Sequence, residues 1–90
     1  MSRHEATAAR RAERYLSDCR ARGGAGLERA QRDGLEGEAM EKRDLARRLR
    51  FDAEKYGDEQ LARRARRLEA EAAGVDGVVR AYDAAHGVAA

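Results

Sequence analysis

Arginine side chains are the groups in this chain best suited to bind a ligand. Seventeen of its 19 basic residues are arginine, and a guanidinium presents a planar, permanently charged fork of donors that matches a phosphate or a carboxylate. The arginines are densest in residues 43–67, where nine basic residues meet five acidic ones. Folded back on itself, this block could present a patch suited to the phosphates of DNA or RNA. The candidate contacts are Arg47, Arg48, Arg63, Arg64, Arg66 and Arg67.

Two other kinds of partner for these arginines stay open. The arginines can pair with carboxylates of their own chain, because Glu59 and Arg63 stand four residues apart, as do Arg50 and Glu54, and that spacing brings side chains together on a helix. They can also meet an acidic protein. The sequence therefore leaves three alternatives, which are an internally paired surface, a nucleic-acid contact and an acidic protein partner.

Formal charge alternates in sign along the chain. Residues 1–22 hold six basic and three acidic residues, net +3, and residues 23–42 hold three and five, net −2. Residues 43–67 hold nine and five, net +4, and residues 68–90 hold one and four, net −3. This alternation suits antiparallel self-association, in which a basic segment of one copy lies on an acidic segment of another.

Neither a nucleophile and base nor a set of metal ligands has the spacing of a reactive site. Cys19 follows His4 by 15 residues, about four helical turns, so the two side chains cannot meet within one helix. Cys19 falls on an apolar helix face, where we expect a small buried hydrophobe. Asp83 and His86 share a helix face, and either could be a single ligand, but the chain has no His-x-x-x-His or Cys-x-x-Cys pair. We expect no enzymatic activity, no cofactor and no metal site.

The composition predicts an all-α protein with a small core. Proline is absent and alanine, arginine, glutamate and leucine dominate, all of which favour helices. Of the 38 hydrophobic residues, 20 are alanine, which buries little more than one methyl group, whereas a buried leucine or valine contributes roughly 1.5–3 kcal/mol. A chain with so few large apolar groups is expected to gain buried area by association.

We expect three to four short helices in a single small helical domain covering residues 1–90. The N-terminal helix should run over about 2–22. It begins at Ser2, an N-cap residue with Glu5 three positions later, which is the spacing of a capping box. The glycines of residues 23–26 should end it, because glycine favours the left-handed conformation that terminates helices.

A central antiparallel helical hairpin is expected over about 38–73. Gly57 should stop its first helix and Asp58 should cap its second. Residues 75–86 should form a C-terminal helical segment after a bend or break near Gly74.

An apolar stripe follows the proposed turn, with alternating steps of four and three residues that keep its side chains on one helix face. Its members are Leu61, Ala65, Leu68, Ala72, Val75, Val79, Tyr82 and His86. Together with the apolar face of the preceding helix, the larger residues of this stripe are the predicted association face. That face consists of Leu45, Leu49, Tyr56, Leu61, Leu68, Val75, Val79 and Tyr82.

The expected location is the cytoplasm. Cys19 is the single cysteine, so no disulfide can form within the chain, and this suits a reducing compartment. No apolar run approaches the roughly 20 residues of a membrane span, and the polar, alanine-rich N-terminus is unlike a signal peptide. We expect no membrane partner.

The C-terminal segment carries a short pattern that resembles a known motif. Residues 70–75 read A-E-A-A-G-V, residues 79–82 read V-R-A-Y, and G-V follows at 87–88. This is similar to the helix-turn-helix of mercury-resistance-type transcription regulators, roughly A-x-x-x-G-V, I-R-x-Y and G-L. The resemblance implies a turn at Gly74 and a recognition helix with Arg80. The spacing departs by one residue on each side of V-R-A-Y, so the regulators' function is not carried over to this chain.

Taken together, these patterns predict a non-enzymatic, small helical association or adaptor protein. The expected partner is a second copy of the chain or another helical protein. The alternative is a DNA- or RNA-binding regulatory protein that uses the arginine-rich block 43–67.

Overall fold

The chain folds into two long α-helices that pack together as a hairpin. In the computed structural model, which describes residues 1–87, helix α1 spans Arg3–Tyr56 and helix α2 spans Glu59–Ala85. The predicted all-α class and the helical hairpin are confirmed. The expected three to four short helices are wrong, because interior glycines that cost a helix about 1 kcal/mol each are held in it by packing. These glycines are Gly34, Gly37, Gly74 and Gly77.

Helix α2 passes through residues 74–77 without a break. The C-terminal segment expected at 75–86 is therefore the second half of α2 rather than a separate helix. The helix-turn-helix resemblance requires a turn at Gly74, and α2 has none there, while Val88 of that pattern lies outside the described residues. None of the helices in residues 1–87 is long and apolar enough to cross a membrane.

Helix α1 reverses direction at Gly24. This residue has φ 74° and ψ −166°, a conformation that is essentially restricted to glycine. A straight helix of 54 residues would be about 81 Å long, whereas the longest dimension of the molecule is 48 Å. We call residues 3–23 the N-terminal arm and residues 25–56 the long arm of α1.

Polar contacts between the two arms of α1 hold the reversal in place. Arg11 Nη2 donates to Glu38 Oε1 at 2.7 Å, and Tyr15 Oη donates to Gln31 Oε1 at 2.6 Å. Residue numbers rise along one arm as they fall along the other, so the two arms run antiparallel. The glycines expected to end the N-terminal helix thus redirect the chain at a single residue.

The connection between α1 and α2 is the predicted Gly57-Asp58 turn. Gly57 has φ 63° and ψ 34°, the left-handed conformation, and the backbone N–H of Asp58 donates to the carbonyl of Ala53. The Asp58 carboxylate then accepts from the backbone N–H groups of Gln60 and Leu61 at 2.9 and 3.3 Å. A left-handed glycine and an N-cap aspartate thus end one helix and start the next.

The core lies where the N-terminal arm, the long arm and α2 meet. It is built largely from alanine and valine, so the three rods approach closely, and Gly74 of α2 lies directly against the backbone of the N-terminal arm. The buried cluster consists of Ala8, Ala12, Leu16, Leu35, Ala39, Ala72, Val75, Val78, Val79 and Tyr82.

Two glycines of α2 offer a direct test of this close approach. A Cβ atom at residue 74 would overlap the carbonyl oxygen of Glu5 and lie 3.0 Å from the amide nitrogen of Ala9, whereas one at residue 77 would meet nothing within 4 Å. We expect Gly74→Ala to destabilise the fold by about 1–3 kcal/mol through overpacking. The matched variant Gly77→Ala should stabilise it by about 0.5–1 kcal/mol through helix propensity.

Urea denaturation followed by circular dichroism measures both free energies of unfolding. Equal stabilisation by the two substitutions would mean that the N-terminal arm does not pack on α2.

Candidate interaction surface

The N-terminal arm covers only part of the hairpin. Arg11 lies opposite Glu38, so Arg3, eight residues earlier, lies opposite about residue 46 of the antiparallel long arm. On α2, the first turn of the arm reaches Gly74. Residues 45–56 of α1 and 59–71 of α2 therefore lie at or beyond the end of the arm, and we call this part the hairpin tip.

The side of the hairpin that holds the arm continues into the tip. Gln31 and Glu38 contact the arm, and Leu45 follows Glu38 by seven residues, two helical turns, so it lies on the same side of α1. We call this continuation the tip groove. The same periodicity places Leu49 and Tyr56 on this side of α1, and on α2 it places Leu61 and Leu68 in line with the buried Val75. The lining of the groove therefore consists of Leu45, Leu49, Tyr56, Leu61 and Leu68.

The tip groove has a small-residue floor and an apolar lining that solvent reaches. Ala46, Ala53 and Ala65 are buried in the seam between α1 and α2. The four leucines of the lining are half-buried, and Tyr56 is 70% exposed. An apolar surface between two helices, unpartnered within the chain's described residues, is the kind of surface on which a further helix packs.

The structure divides the predicted association face into two groups. Val75, Val79 and Tyr82 are buried in the core beneath the N-terminal arm, so another chain cannot reach them in this fold. The remaining five residues of the predicted face are those of the tip groove. The reversal at Gly24 causes this division, because it brings Ala8, Ala12 and Leu16 onto the C-terminal half of α2.

Phe51 and Met40 are exposed apolar residues outside the predicted face. Phe51 is 67% exposed, but it follows Leu49 by two positions, about 200° around the helix, and therefore lies on the far side of α1 from the tip groove. Met40 is also exposed. The positions of Leu45 and Leu49 exclude Phe51 from the helix face that they share. No other pattern in the sequence marks Phe51 as an exposed apolar residue.

Most arginines of the 43–67 block contact carboxylates of their own chain. Arg50 forks onto Glu69, with Nε donating to Oε2 at 2.7 Å, and its hydrogen bonds hold the pKa of Glu69 below the ordinary value. Arg66 donates to Glu59 at 2.9 Å and likewise lowers the pKa of Glu59. The other pairs are Arg43–Asp76, Arg47–Asp44, Arg63–Glu59 and Arg67–Glu71.

The six predicted nucleic-acid contacts are therefore not equivalent. Arg47, Arg63, Arg66 and Arg67 each have a carboxylate of the chain within 4.0 Å. The other two, Arg48 and Arg64, have no such partner among residues 1–87. Exposed pairs of this kind contribute little stability, but they reduce the positive potential that the block presents to a phosphate.

A second polar cluster joins the long arm to α2 at the end opposite the tip. Arg32 donates from Nε and Nη2 to the two oxygens of Asp83 at 2.9 and 2.6 Å, and it also contacts Asp33 and Glu36. The hydrogen bonds that Arg32 donates to Asp83 lower the pKa of Asp83 and raise the pKa of Arg32. The sequence offered Asp83 as a single metal ligand, but its oxygens are occupied by a guanidinium.

His86 and Cys19 have neighbours that suit packing rather than reaction chemistry. The ring of His86 stacks on Tyr82 with centroids 3.9 Å apart, and its Nδ1 lies 2.8 Å from the Tyr82 carbonyl oxygen. Its Nε2 is 3.9 Å from the buried carboxylate of Glu28. Cys19 is buried. Within the part of the chain that is described, no three His, Cys, Asp or Glu side chains are grouped as metal ligands.

Comparison of the chain with protein-family models, with curated proteins and with solved structures gave no match.

The Arg32–Asp83 pair predicts a pH dependence of stability. The pKa of Asp83 in the folded protein lies below its ordinary value of 3.8, so folding favours the ionised form. The stabilisation is present above pH 3.8 and is lost as the pH falls through the lowered pKa. Asp83→Asn should therefore lower the Tm at neutral pH, and the difference from the unmodified protein should shrink toward pH 2.

Asp33→Asn is the matched control, because Asp33 also contacts Arg32 but its side chain is 72% exposed, against 17% for Asp83. Its effect on the Tm should be smaller. Thermal melts of the three proteins between about pH 2 and pH 7 test this. An Asp83→Asn effect that does not change with pH would contradict the assigned role of the pair.

Proposed function

We propose that the protein is a non-enzymatic helical association protein that binds a second copy of itself through the tip groove. The observation that carries the proposal is the length of the N-terminal arm, which ends near Gly74 and leaves the tip groove uncovered. A cytoplasmic location belongs to the same proposal, and the single cysteine, which is buried, is consistent with it.

The tip groove is suited to a helical occupant because it continues an existing helix-binding surface. Below the tip, the same side of the hairpin already holds a helix, the arm, through small residues such as Ala8 and Ala12 packed near Ala39 and Ala72. Leu45 and Leu49 extend this surface in the direction of Gly57. A rod of similar diameter would meet the same spacing between α1 and α2 in the tip.

A second copy supplies such helices, and one arrangement covers the tip grooves of both copies at once. In cross-section each molecule has three helical rods where the arm lies, and two in the tip. Two tips can therefore pack face to face, which gives four helical rods in the region of overlap. The copies must run antiparallel, because in a parallel pair the two N-terminal arms would collide below the tips. The arrangement has two-fold symmetry, the commonest symmetry of protein dimers.

In this arrangement, oppositely charged residues on the tips of the two copies come close together. With a two-fold axis near residue 50 of α1, residue n faces about residue 100 − n of the second copy, so Arg48 comes within a turn of Asp52 of the second copy. Arg48 has no carboxylate within 4.0 Å in the described chain, and the dimer would provide one for it.

The size of the contact predicts a weak dimer. The tip is about 17–20 Å long and two helices, about 20 Å, wide, so each copy would bury roughly 400 Å². Contacts that bury less than about 1,200 Å² in total belong to weak and transient complexes. The dimer should therefore form and dissociate with protein concentration.

The alternative function, a DNA- or RNA-binding regulator that uses block 43–67, has less support. Four of its six candidate arginines already contact carboxylates of the chain. A different helical protein as occupant of the tip groove would appear in the experiment below as a strictly monomeric protein.

Two exposed aromatic residues provide a matched test of the tip groove. Tyr56 and Phe51 are 70% and 67% exposed, so an aspartate at either position should leave the fold intact, but only Tyr56 lines the groove. We expect the unmodified protein to dimerise in sedimentation equilibrium between about 10 µM and about 1 mM. Tyr56→Asp should weaken the dimer at least about tenfold, and Phe51→Asp should not. A monomer throughout this range, or a loss of the dimer in Phe51→Asp alone, would refute the proposal.

Charge reversal tests the antiparallel arrangement separately. Arg48→Asp and Asp52→Arg should each weaken the dimer, because each places like charges opposite each other across the interface. The double variant should restore much of the affinity. Losses that simply add in the double variant would exclude this pairing while leaving association through the tip groove itself in place.

A further inference from the structure

The outer face of the N-terminal arm carries a row of basic side chains that the association proposal does not use. Steps of four and three residues place Arg3, Thr7, Arg10, Arg14 and Ser17 on one side of the helix. This side is opposite to the buried one, and all five residues are exposed. The row contains no aspartate or glutamate. We call these five residues the basic row.

The arginines of the basic row are free of the ion pairs that occupy block 43–67. No carboxylate of residues 1–87 lies within 4.0 Å of Arg3, Arg10 or Arg14. Within the row, Arg10 Nη2 makes a long contact of 3.5 Å with Thr7 Oγ1. The acidic residues of the arm lie elsewhere around the helix. Glu13 follows Arg10 by three positions, about 60° to one side, and Asp18 follows Arg14 by four, about 40° to the other.

The helix holds these three charges in a straight line. At 1.5 Å per residue, Arg10 and Arg14 are about 6 Å apart along the axis and Arg3 is about 10 Å further on. The arm is fixed on its inner side by Ala8, Ala12 and Leu16 in the core, so the row is presented on a rigid support. One strand of DNA carries a phosphate about every 3.4 Å along the axis, so the row spans about five phosphates.

We propose that the basic row binds the phosphate backbone of double-stranded nucleic acid without reading its sequence. Guanidinium and hydroxyl groups donate to phosphate oxygens, and the row consists of these two groups. It has no aromatic side chain on which an unpaired base could stack, which favours a duplex over a single strand. The row shares no residue with the tip groove, so this binding does not depend on self-association.

Two triple variants with the same loss of charge distinguish this row from the arginine-rich block. The row variant combines Arg3→Ala, Arg10→Ala and Arg14→Ala. The control combines Arg47→Ala, Arg63→Ala and Arg66→Ala, which are exposed and lie in the block. Circular dichroism should report a helical fold for both, because none of the six side chains is buried.

Fluorescence anisotropy with a labelled duplex of about 20 base pairs, at several salt concentrations, measures the binding. The unmodified protein should bind weakly, with a Kd of about 10⁻⁴–10⁻⁶ M. The row variant should bind at least about tenfold more weakly, and its slope of log K against log salt should be smaller by about 2–3, since each phosphate contact contributes about 0.9. The control should retain both the affinity and the slope to within about twofold.

Three further ligands complete the test. Duplex RNA in place of duplex DNA should also bind, because the backbone chemistry is shared, and a single strand should bind more weakly. Poly-glutamate is the probe for an acidic protein partner, and binding to it as tight as to duplex would overturn the proposal. No binding to any duplex at low salt, or an equal loss in the control variant, would overturn it as well.

Discussion

A positive φ at Gly24 turns α1 back on itself, and the rest of the structure depends on that one reversal. Without it, the alanine-rich face of residues 3–23 would extend into solvent and the valines of α2 would lack cover. With it, three helical rods bury Ala12, Val75 and their neighbours together. The backbone conformation is one that other residues avoid. The burial of these side chains therefore depends on one backbone conformation, which glycine adopts with little strain.

The composition of the core accounts for both the shape of the molecule and its expected association. Alanine and glycine bury little area per residue, but they let helices approach closely, as Gly74 does against the arm. The arm is also shorter than the hairpin that it packs on. Part of the hairpin is consequently two helices thick, and its apolar lining at Leu45, Leu49 and Leu68 is half-buried. Self-association would extend the packing that stabilises the monomer.

Ion pairs between the long arm and α2 involve some of the arginines and leave others free to bind a partner. Where an arginine of the long arm is level with a carboxylate of α2, as Arg50 is with Glu69, the two form an ion pair. The arginines of the basic row face away from the hairpin and meet no such carboxylate in the described chain. A net charge of only +2 therefore coexists with a locally basic surface, and the density of arginine along the sequence does not locate it.

Local chemistry determined what the sequence could predict. Helix-forming composition predicted the all-α class, and the adjacent Gly57 and Asp58 predicted the hairpin turn, because a left-handed cap and an N-cap act over a few residues. The glycines of residues 23–26 predicted an end to the N-terminal helix, but tertiary structure decided that the chain folds back at Gly24 while Gly74 stays helical. The free-energy cost of keeping a glycine in a helix is similar at both positions. The packing between residues far apart in the chain makes the difference. The same long-range packing buried Val75, Val79 and Tyr82 and left the tip groove open.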